Sequence, residues 1–479
     1  IQAFTLEGFP LCAWGSSGSG DGQFLDPLNV AFSSGHLYVA DHLNHRIQKF
    51  GLDELPPSDP PILSTSPGAS TWTNDTTVFV EWSGAADDPH GSGLAGYSFE
   101  WNHSAFSAPD AVVDVPHTAD PHTTMSAELA DGNDWYFHLR TCDVAGNCTA
   151  TVHAGPFWID TTPPSATGVV SSLSHGDGLP KSNPTVDISW GAASDGLSGV
   201  AVYRYGFAPT ATPPACGDLG TTTATLAGSS GSLADGIWYA HVCAVDGAGN
   251  LGAVAAGGPY LVDTTAPTGL VVSSSSHTAS TWSSDASIEF AFSGATDANG
   301  VAGYAVVFDT AAGTVPACAV TQAGQSFTGT ASPDGSGWRL HVRAIDDAGN
   351  CGGSVSFGPF WIDTTAPPAP GAVVSTSHDG GATNDPTIDV EWGPSSVGDG
   401  APIAGYRFDF WSGAVPPACP ALTGNSAGTS ASSPVLGEGD WYLSVCAVDG
   451  AGNESPVTTG GPYTIDTSGP TGLAVASTS

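Results

Sequence analysis

Hydrophobic and polar residues alternate one for one over short runs along most of the chain. Thr185-Val-Asp-Ile-Ser-Trp190 places Val186, Ile188 and Trp190 on one side and Asp187 and Ser189 on the other, and Thr387-Ile-Asp-Val-Glu-Trp392 repeats the arrangement. A period of two is that of a half-buried β-strand. Trp82 and Phe292 take the place of Trp190 in two further runs. After each comes a polar turn, such as Asp195-Gly-Leu-Ser-Gly199 or Asp297-Ala-Asn-Gly300, and then a strand entered by Tyr97, Tyr203, Tyr304 or Tyr406. A longer strand closes each set. In Trp238-Tyr-Ala-His-Val-Cys-Ala-Val-Asp246, the residues Trp238, Ala240, Val242 and Ala244 share one face, while Tyr239, His241 and Cys243 share the other. About seven short strands per hundred residues, parted by turn signals, predict an all-β fold of antiparallel β-sandwiches.

The long strand recurs four times, as Trp135 to Asn147, Trp238 to Asn250, Trp338 to Asn350 and Trp441 to Asn453. Each copy ends Asp-x-x-Gly-Asn, and the Asn positions lie 103, 100 and 103 residues apart. A boundary sequence follows each: Asp160-Thr-Thr-Pro, Asp263-Thr-Thr-Ala-Pro, Asp363-Thr-Thr-Ala-Pro and Asp466-Thr-Ser-Gly-Pro. Such a period is one small domain per repeat, with modules expected at 62–163, 164–266, 267–367 and 368–469. Residues 470–479 match module openings and are expected to begin a fifth. Proline fixes its own φ and restrains the residue before it, so the joints are predicted to be short and stiff.

Composition narrows function without changing the fold. Lys and Arg number 8 against 46 Asp and Glu, a formal charge of −38. No face can then be basic, which argues against nucleic acid and anionic membrane surfaces as partners. No apolar run approaches the roughly 20 residues of a membrane-spanning helix. Among nine Cys, Cys216 and Cys243 stand 27 apart, as do Cys419 and Cys446, at matching places in their repeats. Pairs recurring in register are read as disulfides, with Cys142 and Cys148, and Cys318 and Cys351, as relocated versions of the same staple. They imply an oxidising compartment. Closing a 27-residue loop contributes about 3.5 kcal/mol in the chain-entropy account. Zinc is the competing reading, but no Cys-x-x-Cys pair exists. Cys12 is left over.

Residues 1–50 are a different object. Trp14-Gly-Ser-Ser-Gly-Ser-Gly-Asp-Gly-Gln-Phe24, then Gly35-His-Leu-Tyr-Val-Ala-Asp41 and Asn44-His-Arg-Ile-Gln-Lys-Phe50, resembles an NHL repeat. That resemblance implies the end of a β-propeller, whose blades need neighbours on both sides. Ile1-Gln-Ala-Phe4 matches Ile47-Gln-Lys-Phe50, so the chain is expected to start inside the preceding blade and to be a window on a longer secreted protein, where Cys12 finds its partner. Residues 51–61 read as a Pro-stiffened linker. From 62 onward the modules are similar to bacterial-type immunoglobulin-like or fibronectin type III-like repeats, on the strength of the Ala-x-Asp-x-x-Gly-Asn strand end and the Asp-Thr-Thr-x-Pro boundary.

The Asp-x-x-Gly-Asn loops admit two readings. In one, Asp caps backbone N–H groups of a hairpin and Gly-Asn supplies positive φ. In the other, Asp143, Asp246, Asp346 with Asp347, and Asp449 give oxygen ligands to calcium together with the boundary residues Asp160, Asp263, Asp363 and Asp466. Asp87 and Asp88 double the charge in the first module in the same way. Sequons at Asn74, Asn102, Asn147 and Asn453 are expected to carry N-glycans if the source is eukaryotic, and Pro-Pro turns are candidates for O-glycans in a green alga. His138, His241 and His341, and the set His175, His277 and His378, are read as exposed strand and turn positions rather than metal ligands. No nucleophile elbow, His-Glu-x-x-His, phosphate loop or dinucleotide fingerprint is present, so no catalytic role and no required cofactor are expected.

The expected function is an extracellular structural rod or filament-forming surface glycoprotein segment, with modules as stiff spacers and assembly surfaces. Its partners would be further copies of itself or other surface proteins and glycans. Abundant Ala, Gly, Ser and Thr with few Lys resembles large surface glycoproteins, including the mastigoneme type of algal flagellar hairs. The alternative is an adhesin or carbohydrate-binding protein using the propeller or module loops. A third reading places a catalytic domain beyond either end.

Overall fold

The predicted alternation becomes strand throughout: the described residues form β-strands and three short 3-10 turns, and no α-helix. The computed structural model describes residues 1–472, apart from 7, 34, 35, 52, 90, 177, 397 and 399. Residues 473–479, most of the expected fifth opening, and the side chain of Cys12 lie outside the described residues. The chain divides into two compact units. One comprises Ile1–Ser171, Ile188–Gly228 and Ala240–Gly257, the other Ser172–Asp187, Ser229–Tyr239 and Gly258–Ser479. Repeats one, three and four each lie within a single unit.

In the first repeat a three-stranded sheet has Phe79–Trp82 between Ile62–Ser66 and His122–Met125. It faces a five-stranded sheet ordered Val115–Pro116, Leu94–Asn102, Gly132–Asp143, Val152–Ile159 and Trp72–Thr73. The third repeat pairs Ser287–Ser293 with Val271–Ser274 and Ser326–Thr330, opposite a sheet built on Gly335–Asp346. The fourth does the same with Asp389–Trp392 and Gly439–Asp449. Between the sheets lie Val78, Val80, Trp82, Phe137 and Ile159 in the first core, and Ile388, Val390, Trp392, Leu443 and Ile465 in the fourth. The aromatic of the early strand meets the Tyr of the next: Trp82–Tyr97 at 5.4 Å, Trp190–Tyr203 at 5.8 Å, Phe292–Tyr304 at 5.1 Å and Trp392–Tyr406 at 5.6 Å between ring centroids. Each such pair is worth about 0.5–1.5 kcal/mol beyond its buried area. The Gly of the recurring Gly-Pro sits at φ +130°, +118°, +128° and +109° at Gly155, Gly258, Gly358 and Gly461, close against a Trp carbonyl that a Cβ would strike.

The outer face of the long strand is buried as well, which corrects the reading of its histidines. His138, His241 and His341 are fully buried, because the loops after the Tyr strand fold back over them. His241 Nε2 lies 3.2 Å from the Thr210 carbonyl, and His341 Nε2 lies 3.4 Å from Asp309 Oδ1. His175 and His378 are buried too, with Nε2 on the carbonyls of Asn183 and Asp385 at 3.0 and 3.2 Å; His277 reaches the Asp285 carbonyl at 2.8 Å. They pin a turn. On the same outer face Cys216, Leu219 and Cys243 form a small second core with Val245 and Val254, matched by Cys419, Leu422, Cys446 and Val457. All four cysteine pairs are disulfides in the structure. Cys142–Cys148 closes the Asp-x-x-Gly-Asn hairpin itself, whereas Cys318–Cys351 ties a loop to its exit.

At the N-terminus Pro27–Ser33, His36–Asp41 and Arg46–Gly51 form an antiparallel sheet, and Gln2–Phe4 pairs with Pro10–Ala13. Leu28, Val30, Phe32 and Ile47 remain exposed. Asp41 is buried and organises the segment. Its Oδ1 accepts the Leu25 N–H at 2.8 Å, and Oδ2 accepts Asn44 Nδ2, Arg46 Nε and Gln48 Nε2 at 2.8, 2.9 and 2.9 Å. Burial works against the charged form, yet these four donors together hold the carboxyl well below the usual carboxylate range. A depressed pKa contributes stability above the unfolded-state value and loses it as pH falls through the folded-state value. Asp41→Asn is therefore expected to weaken amide-exchange protection of these strands at neutral pH and to flatten its acid dependence below the ordinary carboxylate pKa. Equal protection of both proteins across that range would refute the role.

Candidate metal centres at the module joints

Each closing strand runs directly into its boundary residue, Ile159 into Asp160, Val262 into Asp263, Ile362 into Asp363 and Ile465 into Asp466. The Thr-Thr that follows is held by an acidic residue standing just before the long Trp strand. Asp131 accepts from Thr161 N, Thr161 Oγ1 and Thr162 Oγ1 at 2.9, 2.8 and 2.8 Å. Asp235 takes Thr264 and Thr265, Asp334 takes Thr364 and Thr365, and Glu438 takes Thr467. Burial raises the Asp131 and Asp334 carboxyls, but the Thr donors outweigh it and keep both below their ordinary range. Sequence reasoning missed these residues. Their signal is the acidic-Gly dipeptide recurring before each Trp.

A second grip comes from the next module. Within each hairpin Asp Oδ1 accepts the Asn N–H and Oδ2 accepts Asn Nδ2, for example at 2.8 and 2.8 Å for Asp246 with Asn250. The other proton of Nδ2 crosses the joint. Asn147 donates to the Asp53 carbonyl at 2.9 Å, Asn250 to Asp160 at 2.7 Å, Asn350 to Asp263 at 2.7 Å and Asn453 to Asp363 at 2.8 Å. In three joints a loop N–H of the following module also meets the boundary carboxylate: Ser92 on Asp53 at 2.7 Å, Ser198 on Asp160 at 3.0 Å and Ala401 on Asp363 at 2.6 Å.

Around these grips the carboxylates converge. Asp53, Asp87 and Asp143 form one triad, Asp160, Asp195 and Asp246 a second, and Asp263, Asp297 and Asp346 a third, each with carboxylate oxygens within 4.8 Å of one another. Three acidic oxygen donors, with no imidazole or thiolate in the triad, suit a hard divalent cation such as calcium, whose remaining ligands would be carbonyls and water. The joint at Asp263 shows the strongest need. It lacks the loop N–H of the others, and Asp263 Oδ2 is buried without a hydrogen-bond partner although the Asn299 side chain lies beside it. Burial pushes the Asp263 carboxyl up; Asn299 and the Thr265 N–H oppose this, and the charges of Asp297 and Asp346 add to it. A cleft of about 330 Å³ lined by Asp235, Asp263, Asp297 and Asn299 opens beside it.

Asp246 and Asp346 stand beside the boundary residues Asp160 and Asp263, whereas Asp143 stands beside Asp53, and all three also make the bonds of the hairpin reading. Asp449 lines a cleft of about 360 Å³ with Asp363 and Asp334. Asp347 is corrected: it is exposed, with its carboxylate against Gly300 and outside the triad. Asp87, whose doubled charge marks it as a first place to look for calcium, belongs to the triad with Asp53 and Asp143. Among the sequons Asn74 is exposed and Asn102 half-buried. Asn147 and Asn453 have both amide protons engaged, the second with Asp143 Oδ2 and Asp449 Oδ2 at 2.8 and 2.9 Å. A glycan on either nitrogen would displace the bond across the joint.

Residues 24–50 match the NHL repeat family. A stretch of 294 residues is 29% identical to Exoglucanase B of Cellulomonas fimi, covering 59% of this chain and 24% of that protein. The chain therefore spans about a quarter of that relative's length. Among solved structures it is similar to the FN1–FN3 domains of chicken CNTN1, at 14% identity, TM-score 0.28, over 64% of this chain and 100% of that one. The fibronectin(III)-like modules of Clostridium thermocellum CbhA give 16% identity and TM-score 0.23 over 40% and 91%. The NHL segment meets the first module by the same device as the later joints, through Asp53, Ser92 and Asn147.

Two outcomes test the joints. Asn350→Ala leaves the Asp263 carbonyl and Asp346 Oδ2 without a donor and is expected to cost about 1–3 kcal/mol, seen as faster amide exchange confined to residues 264–268 and the 346–350 hairpin. Asp263→Asn is expected to raise the melting temperature of the divalent-free protein and to reduce its gain on calcium addition. A wild-type melting curve unmoved by chelator would reject the ion.

Proposed function

We propose that this chain is an extracellular spacer: a run of β-sandwich modules held at fixed intervals by joints that calcium completes, serving a surface filament or sheath. The observation that carries this reading is the recurrence of one joint: the crossing Asn amide occurs at four places, and at three of them, Asp160, Asp263 and Asp363, the Thr-Thr clamp and the boundary carboxylate occupy matching positions. A device that repeats with the modules governs spacing, whereas an active site needs to occur once. Four disulfides suit an oxidising exterior. A charge of −38 keeps copies apart unless divalent ions or a partner bridge them, so assembly between copies should depend on salt and calcium. A flagellar hair is one form such a sheath could take.

The likeness of 294 residues to a protein named an exoglucanase favours a second reading, in which the modules contact glucan surfaces. Electron microscopy with calcium and with chelator separates the readings. Particles of one well-defined extended length in calcium, broadening in chelator, are expected of the spacer. Compact particles in both conditions would overturn it, and saturable glucan binding by the calcium-loaded chain would move the assignment to the second.

A further inference from the structure

The first repeat differs from the second and fourth at one place. In the second and fourth repeats the hydroxyl of the early-strand Tyr is tied to a backbone N–H, Tyr203 to Ala193 at 3.1 Å and Tyr406 to Ser395 at 3.0 Å. The corresponding Tyr97 hydroxyl is fully buried and has no partner. Its ring packs instead against two histidines that the other repeats lack, His122 at 4.7 Å and His117 at 6.2 Å between centroids.

His122 begins an edge strand opposite Trp82 and is buried; His117 is half-buried and anchored by its own N–H to the Ala95 carbonyl at 3.0 Å. His122 Nε2 stands 3.3 Å from His117 Nδ1 and 3.5 Å from Asp120 Oδ1. All three ligand atoms lie within 4.8 Å of one another. Asp120 is held from behind, because its Oδ2 accepts the Gly84 N–H at 2.8 Å. With Zn–N bonds of about 2.0–2.1 Å, the edge of a tetrahedral site is about 3.3 Å, which is the spacing seen. By contrast the His138–His153 pair stands at 2.6 Å, too close for two ligands of one ion.

We propose that His117, Asp120 and His122 form a binding site for a zinc-class divalent transition metal, bound through Nδ1, Oδ1 and Nε2. Two imidazoles and one carboxylate match zinc and its neighbours and not calcium, which takes oxygen ligands. Gly84 N–H fixes the carboxylate in the manner of an outer-shell donor. Asp120 is exposed, so the fourth position faces solvent. The ion would tie the edge strand, the 117–121 loop and the turn at Gly84 into one unit, a role confined to the first module.

The test is a zinc titration of the metal-stripped full chain in excess calcium, with cobalt as the spectroscopic probe. Wild type should bind one zinc at this site and, with cobalt, show visible absorption of tetrahedral intensity. His117→Ala and Asp120→Asn should each weaken binding at least tenfold and remove the absorption, while His153→Ala leaves both unchanged. Asp120 is exposed, so its variant retains the fold even if His117→Ala does not. Wild type and Asp120→Asn binding zinc alike, absence of the cobalt absorption, or loss of the metal in His153→Ala would overturn the assignment and leave the two rings as a hydrogen-bonded pair.

Discussion

One side-chain amide ties each module to the segment before it. Asn250 Nδ2 has two protons; one goes to Asp246 in its own hairpin and the other to the carbonyl of Asp160 in the module before. The hairpin cannot close without aiming the amide at the joint, because the same Asp246 that accepts the Asn N–H also orients the Asn side chain. Folding of one module and its attachment to the previous one therefore rest on the same two residues. Shared use of a residue makes the joint as ordered as the hairpin, and a buried carbonyl left without its donor would cost about as much as any unmade buried hydrogen bond.

Around this amide the joint is built almost entirely from carboxylates, and that choice creates a cost. Asp is the shortest side chain able to accept several backbone N–H groups at once, which is why it caps the hairpin, grips Thr-Thr and receives the loop of the next module. Three such groups within a few ångströms repel one another. At Asp160 the repulsion is met by backbone donors on every carboxylate, including Ser198 on Asp160 itself. At Asp263 the shorter Asp297-Ala-Asn-Gly300 loop supplies no such donor, and the carboxyl is pushed up. The joints are alike in plan and unequal in how far backbone donors offset their carboxylates.

Much of this was legible in the sequence because strands declare themselves by period two and modules by recurrence. Val186, Ile188 and Trp190 alternate as a half-buried strand must, and the cysteine pairs sit in register. What the pattern could not carry was the second face of the long strand. Alternation marks His241 and Cys243 as outward, and they are outward, but the loop bearing Cys216 and Leu219 folds over them and makes a small core there. A covering loop has no periodicity to betray it. Likewise the Asp-x-x-Gly-Asn motif showed a turn and hinted at oxygen ligands, yet one residue of the motif spends a proton on another module, a contact across 90 residues of chain that local spacing cannot reveal.

Recurrence and departure then carry different information. The clamp at Thr-Thr, the crossing amide and the boundary Asp occur in every copy, so they answer to what all copies share, which is position in the array. Features that break the pattern answer to something local. Tyr97 loses the hydroxyl tie that Tyr203 and Tyr406 keep, and in the same module two imidazoles and a carboxylate gather against its ring. A buried hydroxyl without a partner is costly and is seldom retained unless its surroundings serve another end. In an array whose joints are built on one plan, the module that gathers two imidazoles and a carboxylate at a place its siblings fill otherwise is where distinct chemistry should be sought.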